Sequence, residues 1–349
     1  MVELPERKIL LAFFLSALLV VGLSLEGNQS PALVASGTVD TGGGYRWGLE
    51  AVKAQDAWKV TRGSPSITVA VIDGGINFDI PALQSHHWTN KEEIPNNGRD
   101  DDNNGYIDDS HGWDFRAKRP VSSSSKSRYF HGTFVAGLIA STYEPESGTG
   151  GVAPEIKLMD LRVLNSRGRA FPSDWPKFAS AIRYATANGA SIINLSLSAR
   201  RKPPKLVRAA IKDASKKGVL VVVGSGNGDE VQALAKLDGV ITAGAVNRDL
   251  SATHFSASGP EVDVSAPGEG VLSFKEGKPT PGSGTSFAAA HLSGAAALLL
   301  SERPATKRKR LIEILLNTAE DLSSPGKDPL TGRGLINVDK ALGKLISST

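Results

Sequence analysis

From Trp47 onward the chain alternates short apolar runs with stretches of helical period. Residues 67–72 (ITVAVI), 156–163, 192–197, 219–223 and 240–246 are rich in β-branched side chains and read as strands. They are apolar at successive positions, the pattern of strands covered on both faces. Between them, residues 173–188 and 205–217 read as helices, each followed by a glycine (Gly189, Gly218) where a left-handed residue closes a helix. In the second helix Leu206, Ala210, Ile211 and Ala214 fall on one face, the expected core stripe. Strands of this kind alternating with helices predict an α/β fold with a mainly parallel central sheet and helices on both faces. Functional residues in such sheets sit just past the carboxyl ends of the strands.

The N-terminal region has a different pattern. Residues 9–25 (ILLAFFLSALLVVGLSL) are uncharged and apolar and follow Arg7 and Lys8. At that position the run reads as a signal peptide or signal-anchor in preference to a buried core helix. Residues 26–46, with Gly42, Gly43 and Gly44, lack periodicity and read as a linker or short pro-segment, too short to fold alone. One folded domain is expected over residues 47–345. This organisation predicts an extracytoplasmic protein, secreted or tethered to a membrane through residues 9–25.

Composition narrows the chemistry. The 349 residues hold no cysteine, which removes disulfides, thiolate metal sites and cysteine nucleophiles. Lys plus Arg is 40 against 36 Asp plus Glu, a net charge of +4 that is no nucleic-acid footprint unless clustered. The clusters Arg200-Arg201-Lys202 and Lys307-Arg308-Lys309-Arg310 read as solvated ends of elements, with none of the interleaved aromatics of a nucleic-acid platform.

Three segments place reactive side chains at element ends. Residues 67–72 run into Asp73-Gly74-Gly75, a carboxylate at a strand end before a sharp turn. His131 opens a helix of small residues, HGTFVAG. Ser286, in Gly282-Ser283-Gly284-Thr285-Ser286, stands at a helix N-terminus, where N–H groups favour developing negative charge. Each alone has a plainer reading: a turn, a structural histidine, an N-cap. Together they give the chain order Asp, His, Ser, one of the orders in which a nucleophilic triad is built. A fourth segment, Gly224-Ser225-Gly226-Asn227, sets an amide past a strand end, where it could donate to an oxyanion.

With VAVIDGG around Asp73, HGTFVAG around His131, GSGNG around Asn227 and GTSFAAAH around Ser286, the chain resembles the subtilisin-like serine peptidases, or subtilases. The resemblance implies a three-layer subtilisin-like fold and a serine endopeptidase forming an acyl-enzyme on Ser286. It makes His131 the general base and acid, Asp73 its orienting carboxylate and Asn227 an oxyanion-hole donor. Ser196, Leu197 and Ser198, together with Gly224, Ser225 and Gly226, become the substrate-binding residues. Polypeptides are the implied substrates, with no cofactor for the chemistry, no nucleic-acid partner and a monomeric state. The alternative is a catalytically silent subtilase fold kept as a binding module at the cell envelope.

The chain departs from the family pattern in places. Phe287 stands where a methionine usually follows the nucleophile, removing an oxidisable thioether, and Ala290 stands where proline is usual. Ser198 and Ala199 replace the glycine of the substrate strand, so family specificity is not carried across. Between the Asp and His motifs, Asp100, Asp102, Asn104, Tyr106 (through its carbonyl) and Asp108 match the spacing of an oxygen-ligand calcium loop. His111 occupies the place of the closing Glu. A structural calcium site and a solvated acidic turn are both open readings of that loop.

Overall fold

The computed structural model describes residues 33–34, 46–121, 129–199 and 201–348. The expected signal segment, most of residues 26–46 and Arg200 lie outside them. The first described element is the two-residue strand β1 (Leu33–Val34), followed by the short helices α1 (Trp47–Ala51) and α2 (Ala54–Ala57). Next come β2 (Thr68–Asp73), α3 (Pro81–Gln84), β3 (Gly112–Asp114), β4 (Arg119–Pro120), α4 (His131–Ala140) and β5 (Lys157–Arg162). The alternation continues through α5 (Trp175–Ala187), β6 (Ile192–Leu195), α6 (Lys205–Lys216), β7 (Leu220–Gly224), β8 (Val240–Val246) and β9 (Val264–Pro267). A hairpin of β10 (Val271–Lys275) and β11 (Lys278–Ser283) leads into α7 (Thr285–Glu302), α8 (Arg308–Asn317) and α9 (Val338–Ser347).

The main sheet has the order β4-β3-β5-β2-β6-β7-β8-β9 and is parallel except for the β3–β4 pair. Alternate residues of each strand feed two cores. Val69, Val71, Leu158, Ile192 and Val222 pack with Phe134 of α4 and Leu292 and Leu298 of α7. Ala70, Ile72, Leu161, Ile193 and Val221 pack with Phe178 and Ile182 of α5 and Ile211 of α6. Three layers result, as the apolar strands require, because every strand face needs a helix over it. Helix α7 is buried from Phe287 to Leu300, which makes it an internal element and not a surface cover.

One expectation is corrected. The core stripe of α6 is Val207, Ala210, Ile211 and Ala214, with Leu206 only partly buried at its edge. The true stripe keeps the i, i+3, i+4, i+7 spacing of one helix face, from which Leu206 is rotated by one residue. Residues 26–46 also contribute structure: β1 pairs antiparallel with β11, Leu33 opposite Ser283 and Val34 opposite Gly282. Two residues carry no readable period, and the free edge of the β10–β11 hairpin supplies their partner.

The sheet order places β2 between β5 and β6, so the chain winds outward from β2 to both sides. A crevice opens past the carboxyl end of a strand where the winding reverses. Asp73, the last residue of β2, stands at that crevice.

Among the described residues no helix is long and apolar enough to cross a membrane. One buried titratable group lies within α7: His291, whose Nδ1 lies 2.8 Å from the Phe287 carbonyl. Burial holds its pKa down at about 4 against an ordinary 6.5. The unfolded chain therefore binds a proton that the fold excludes, so this contribution to stability is complete above pH 6.5 and is lost as pH falls toward 4. Denaturant unfolding at a series of pH values should show His291→Gln losing less stability over that window than the wild type.

Candidate active site

Asp73 and His131 meet across the crevice: His131 Nδ1 lies 2.7 Å from Asp73 Oδ2, and both side chains are buried. The second carboxylate oxygen accepts the Gly74 N–H at 2.7 Å, fixing the carboxylate against the turn that follows β2. The helix carrying His131 comes this close because residue 132 has no side chain. A Cβ there would lie 2.6 Å from the Gly75 carbonyl oxygen and 3.1 Å from Asp73 Cβ. A carboxylate on Nδ1 holds the imidazole in the tautomer whose Nε2 accepts a proton. Among the described residues Nε2 has no hydrogen-bond partner. Tyr129 stacks on the His131 ring at 5.8 Å between centroids. Burial, with the Asp73 charge behind it, pushes that phenol up to about 12, so it stays neutral.

Ser286 is the second residue of α7, and Gly284 takes the N-cap position, so the plainer reading of Ser286 as an N-cap does not hold. Its hydroxyl donates to the Ser196 carbonyl at 3.3 Å and makes no hydrogen bond to His131. The two serines are doubly joined, since Ser196 Oγ donates to the Ser286 carbonyl at 3.0 Å. Behind them Asn194 Nδ2 donates to Ser196 Oγ at 2.8 Å, and Ser293 Oγ donates to Asn194 Oδ1 at 2.9 Å. This buried chain of polar groups runs from inside α7 to the nucleophile candidate.

Asn227 follows β7. Its Oδ1 accepts both the Thr285 N–H at 2.9 Å and the Thr285 hydroxyl at 3.0 Å. A backbone N–H can only donate, so the oxygen end of the amide faces Thr285 and the NH₂ end is turned away from it. Neither that NH₂ nor the Ser286 N–H has a partner among the described residues. Two unpaired donors thus stand at the start of α7, where the helix dipole adds to their field.

The other predicted residues divide. β6 ends at Leu195, and residues 196–199 leave the sheet beside Ser286, with Ser198 half-exposed and Leu197 buried. Gly224 lies beneath α7, where a Cβ would be 2.8 Å from the Thr285 carbonyl oxygen, and Gly226 donates its N–H to Thr285 Oγ1 at 3.1 Å. Ser225 is fully buried, with its hydroxyl 3.3 Å from Ser256 Oγ and its N–H on the Ala243 carbonyl.

In the acidic loop the structure brings together Asp100, Asp102 and a residue that the spacing did not indicate, Glu93, with one oxygen of each within 4.8 Å of the others. Asp108 is turned elsewhere and accepts the Asn97 and Gly98 N–H groups. Asn104 Oδ1 accepts the Tyr106 N–H at 2.8 Å. Glu93 is buried; its Oε1 accepts the N–H groups of Asp101 and Asp102, and its Oε2 has no partner. Asp109 anchors the loop by accepting the Tyr184 hydroxyl of α5 at 2.5 Å. No loop-spacing pattern could include Glu93, which lies upstream of the loop and joins it only by folding.

Comparison with known proteins agrees with this arrangement. The family model described as Peptidase_S8, the subtilase family, matches residues 64–334. An intracellular serine protease of Paenibacillus polymyxa is 34% identical over 303 residues, covering 83% of this chain and 84% of the relative. The minor extracellular protease Epr of Bacillus subtilis is 31% identical over 308 residues, 87% of this chain and 43% of that longer protein. The crystal structure of MycP1 with its N-terminal propeptide removed superposes with a TM-score of 0.67 at 28% identity, over 85% of this chain and 96% of that one. The chain therefore belongs to the subtilase family and is a subtilisin-like serine endopeptidase.

Proposed function

We propose that Ser286 is the nucleophile that attacks the peptide carbonyl, with His131 taking its proton and returning it to the leaving amine. Asp73 then orients the imidazole and stabilises the imidazolium, while Asn227 Nδ2 and the Ser286 N–H bind the oxyanion. The observation that carries this reading is the convergence of an Asp73–His131 pair at 2.7 Å with two unpaired donors at the start of α7. The 3.3 Å bond from Ser286 Oγ to Ser196 is long and easily surrendered, and such contacts tighten onto the base when substrate is present. An extended substrate pairs with residues 196–198 as an added strand, beside the place where β2 stops and the chain turns away at Gly74.

A fluorophosphonate probe tests the mechanism against a silent binding module. The folded wild type should be labelled, and Ser286→Ala and His131→Ala should not; a folded wild type that stays unlabelled would favour the binding module. Asn227→Ala should lower kcat by about 10²- to 10³-fold, with a smaller effect on KM, on any peptide that the wild type cleaves. That is the range found for such a donor in a subtilisin.

The acidic loop fits a structural calcium ion. All its donors are oxygens, and Glu93 Oε2 is a buried carboxylate oxygen without a partner. Glu93, Asp100 and Asp102 would hold the ion, which supplies charge balance to the loop and takes no part in catalysis. Calcium should raise the thermal midpoint of the wild type relative to chelator, and Glu93→Gln should remove most of that rise. The protein acts outside the cytoplasm in this reading, which the apolar run of residues 9–25 and the extracellular relative support.

A further inference from the structure

Strand β5 carries two buried charged residues in an apolar run, Asp160 and Arg162. Their spacing puts them on the face of the sheet that holds Leu158, the face covered by α4 and shared by Val69 and Val71 of β2. Arg162 Nε and Nη2 donate to one oxygen, Asp160 Oδ2, at 3.1 and 2.9 Å. That oxygen also accepts the Ile76 N–H at 3.1 Å, and Arg162 Nη2 reaches the Ile76 carbonyl at 3.5 Å. The pair therefore holds both backbone groups of the residue that closes the turn after Asp73.

Arg162 also presses on that turn directly. Gly75 has φ of +112°, and a Cβ there would lie 2.5 Å from Arg162 Nε. On the opposite side the Gly75 carbonyl supports the first turn of α4 at Gly132, and the Asn77 N–H donates to Thr133 Oγ1 at 2.9 Å. Residues 74–77 are thus clamped between the β5 ion pair and the helix that begins at His131.

We infer that Asp160 and Arg162 are positioning residues: through Ile76 and Gly75 they set the separation of Asp73 from His131. The inference rests on the catalytic reading above. Removing one member of an ion pair this deep leaves the other buried without the oxygen or guanidinium that holds it, so the turn it braces shifts. A longer Asp73–His131 contact orients the imidazole less firmly and stabilises the imidazolium less, so activation of the nucleophile slows. Among the described residues, Asp73 of β2 and Tyr129 before α4 meet the His131 ring, and Asp114 of β3 acts electrostatically on the Asp160–Arg162 pair.

The charges allow geometry to be separated from field. Asp160→Asn removes a negative charge and Arg162→Met a positive one, so a field effect alone would change the labelling rate in opposite directions. Gly75→Ala changes no charge and intrudes on Arg162 Nε. The rate constant for fluorophosphonate labelling is measured against pH for the full-length wild type and the three variants, with circular dichroism to establish folding. Labelling about 10- to 100-fold slower across the pH range in all three is the expected result. Rates moving in opposite directions for the two charge variants, or rates within about twofold of wild type, would overturn it. If the single charge variants do not fold, Gly75→Ala and the double variant Asp160→Leu/Arg162→Met decide on the same criteria. A folded wild type that is not labelled overturns the catalytic reading and this inference with it; wild-type labelling with unaltered variants overturns the inference alone.

Discussion

The backbone of α7 meets the carboxyl end of β7 with no side chain between them: a Cβ on Gly224 would lie 2.8 Å from the Thr285 carbonyl oxygen. The site depends on this approach and on its counterpart, where Gly132 brings α4 onto the turn after β2. Two helices converge on the end of one sheet at backbone contact, which carries Ser286 and His131 into the same crevice. Adding one methyl group at either glycine would force backbone apart, and no rotamer change relieves a clash with a carbonyl.

Around that convergence the polar groups are satisfied in a directed way. The line Ser293–Asn194–Ser196–Ser286 lies within the fold and ends at the nucleophile candidate. Buried polar groups are costly when unpaired, so such a network admits few arrangements and fixes the side chains it contains. The groups at the crevice without a partner among the described residues are then the informative ones: His131 Nε2, Asn227 Nδ2 and the Ser286 N–H. An acceptor and two donors left open at one place are what a reacting carbonyl and its proton require.

Phe287 shows how a departure from the family pattern is absorbed. Its ring stacks on Phe134 of α4 at 4.2 Å between centroids and lies 5.9 Å from the His131 ring. An aromatic pair bridges α4 and α7 on the core side of the site. Phe287 is fully buried, so its ring packs behind Ser286 and adds no polar group to the crevice.

Much of the chemistry was legible in the chain because it is written at element ends. Asp73, His131, Asn227 and Ser286 each lie at or just past the end of a strand or at the start of a helix, and their chain order together makes them candidates where each alone has a plainer reading. The pattern also gave the strands and the two-sided sheet, since covering both faces demands continuous apolar runs. Tertiary structure decided what local pattern cannot encode. The sheet order set β5 beside β2, so that Arg162 bears on Gly75, and the folding of the acidic loop turned Asp108 away and brought Glu93 in. Periodicity records which face of an element is buried; which residue of a distant segment fills the space against that face depends on sheet order and backbone approach, and these exist only once the chain has folded.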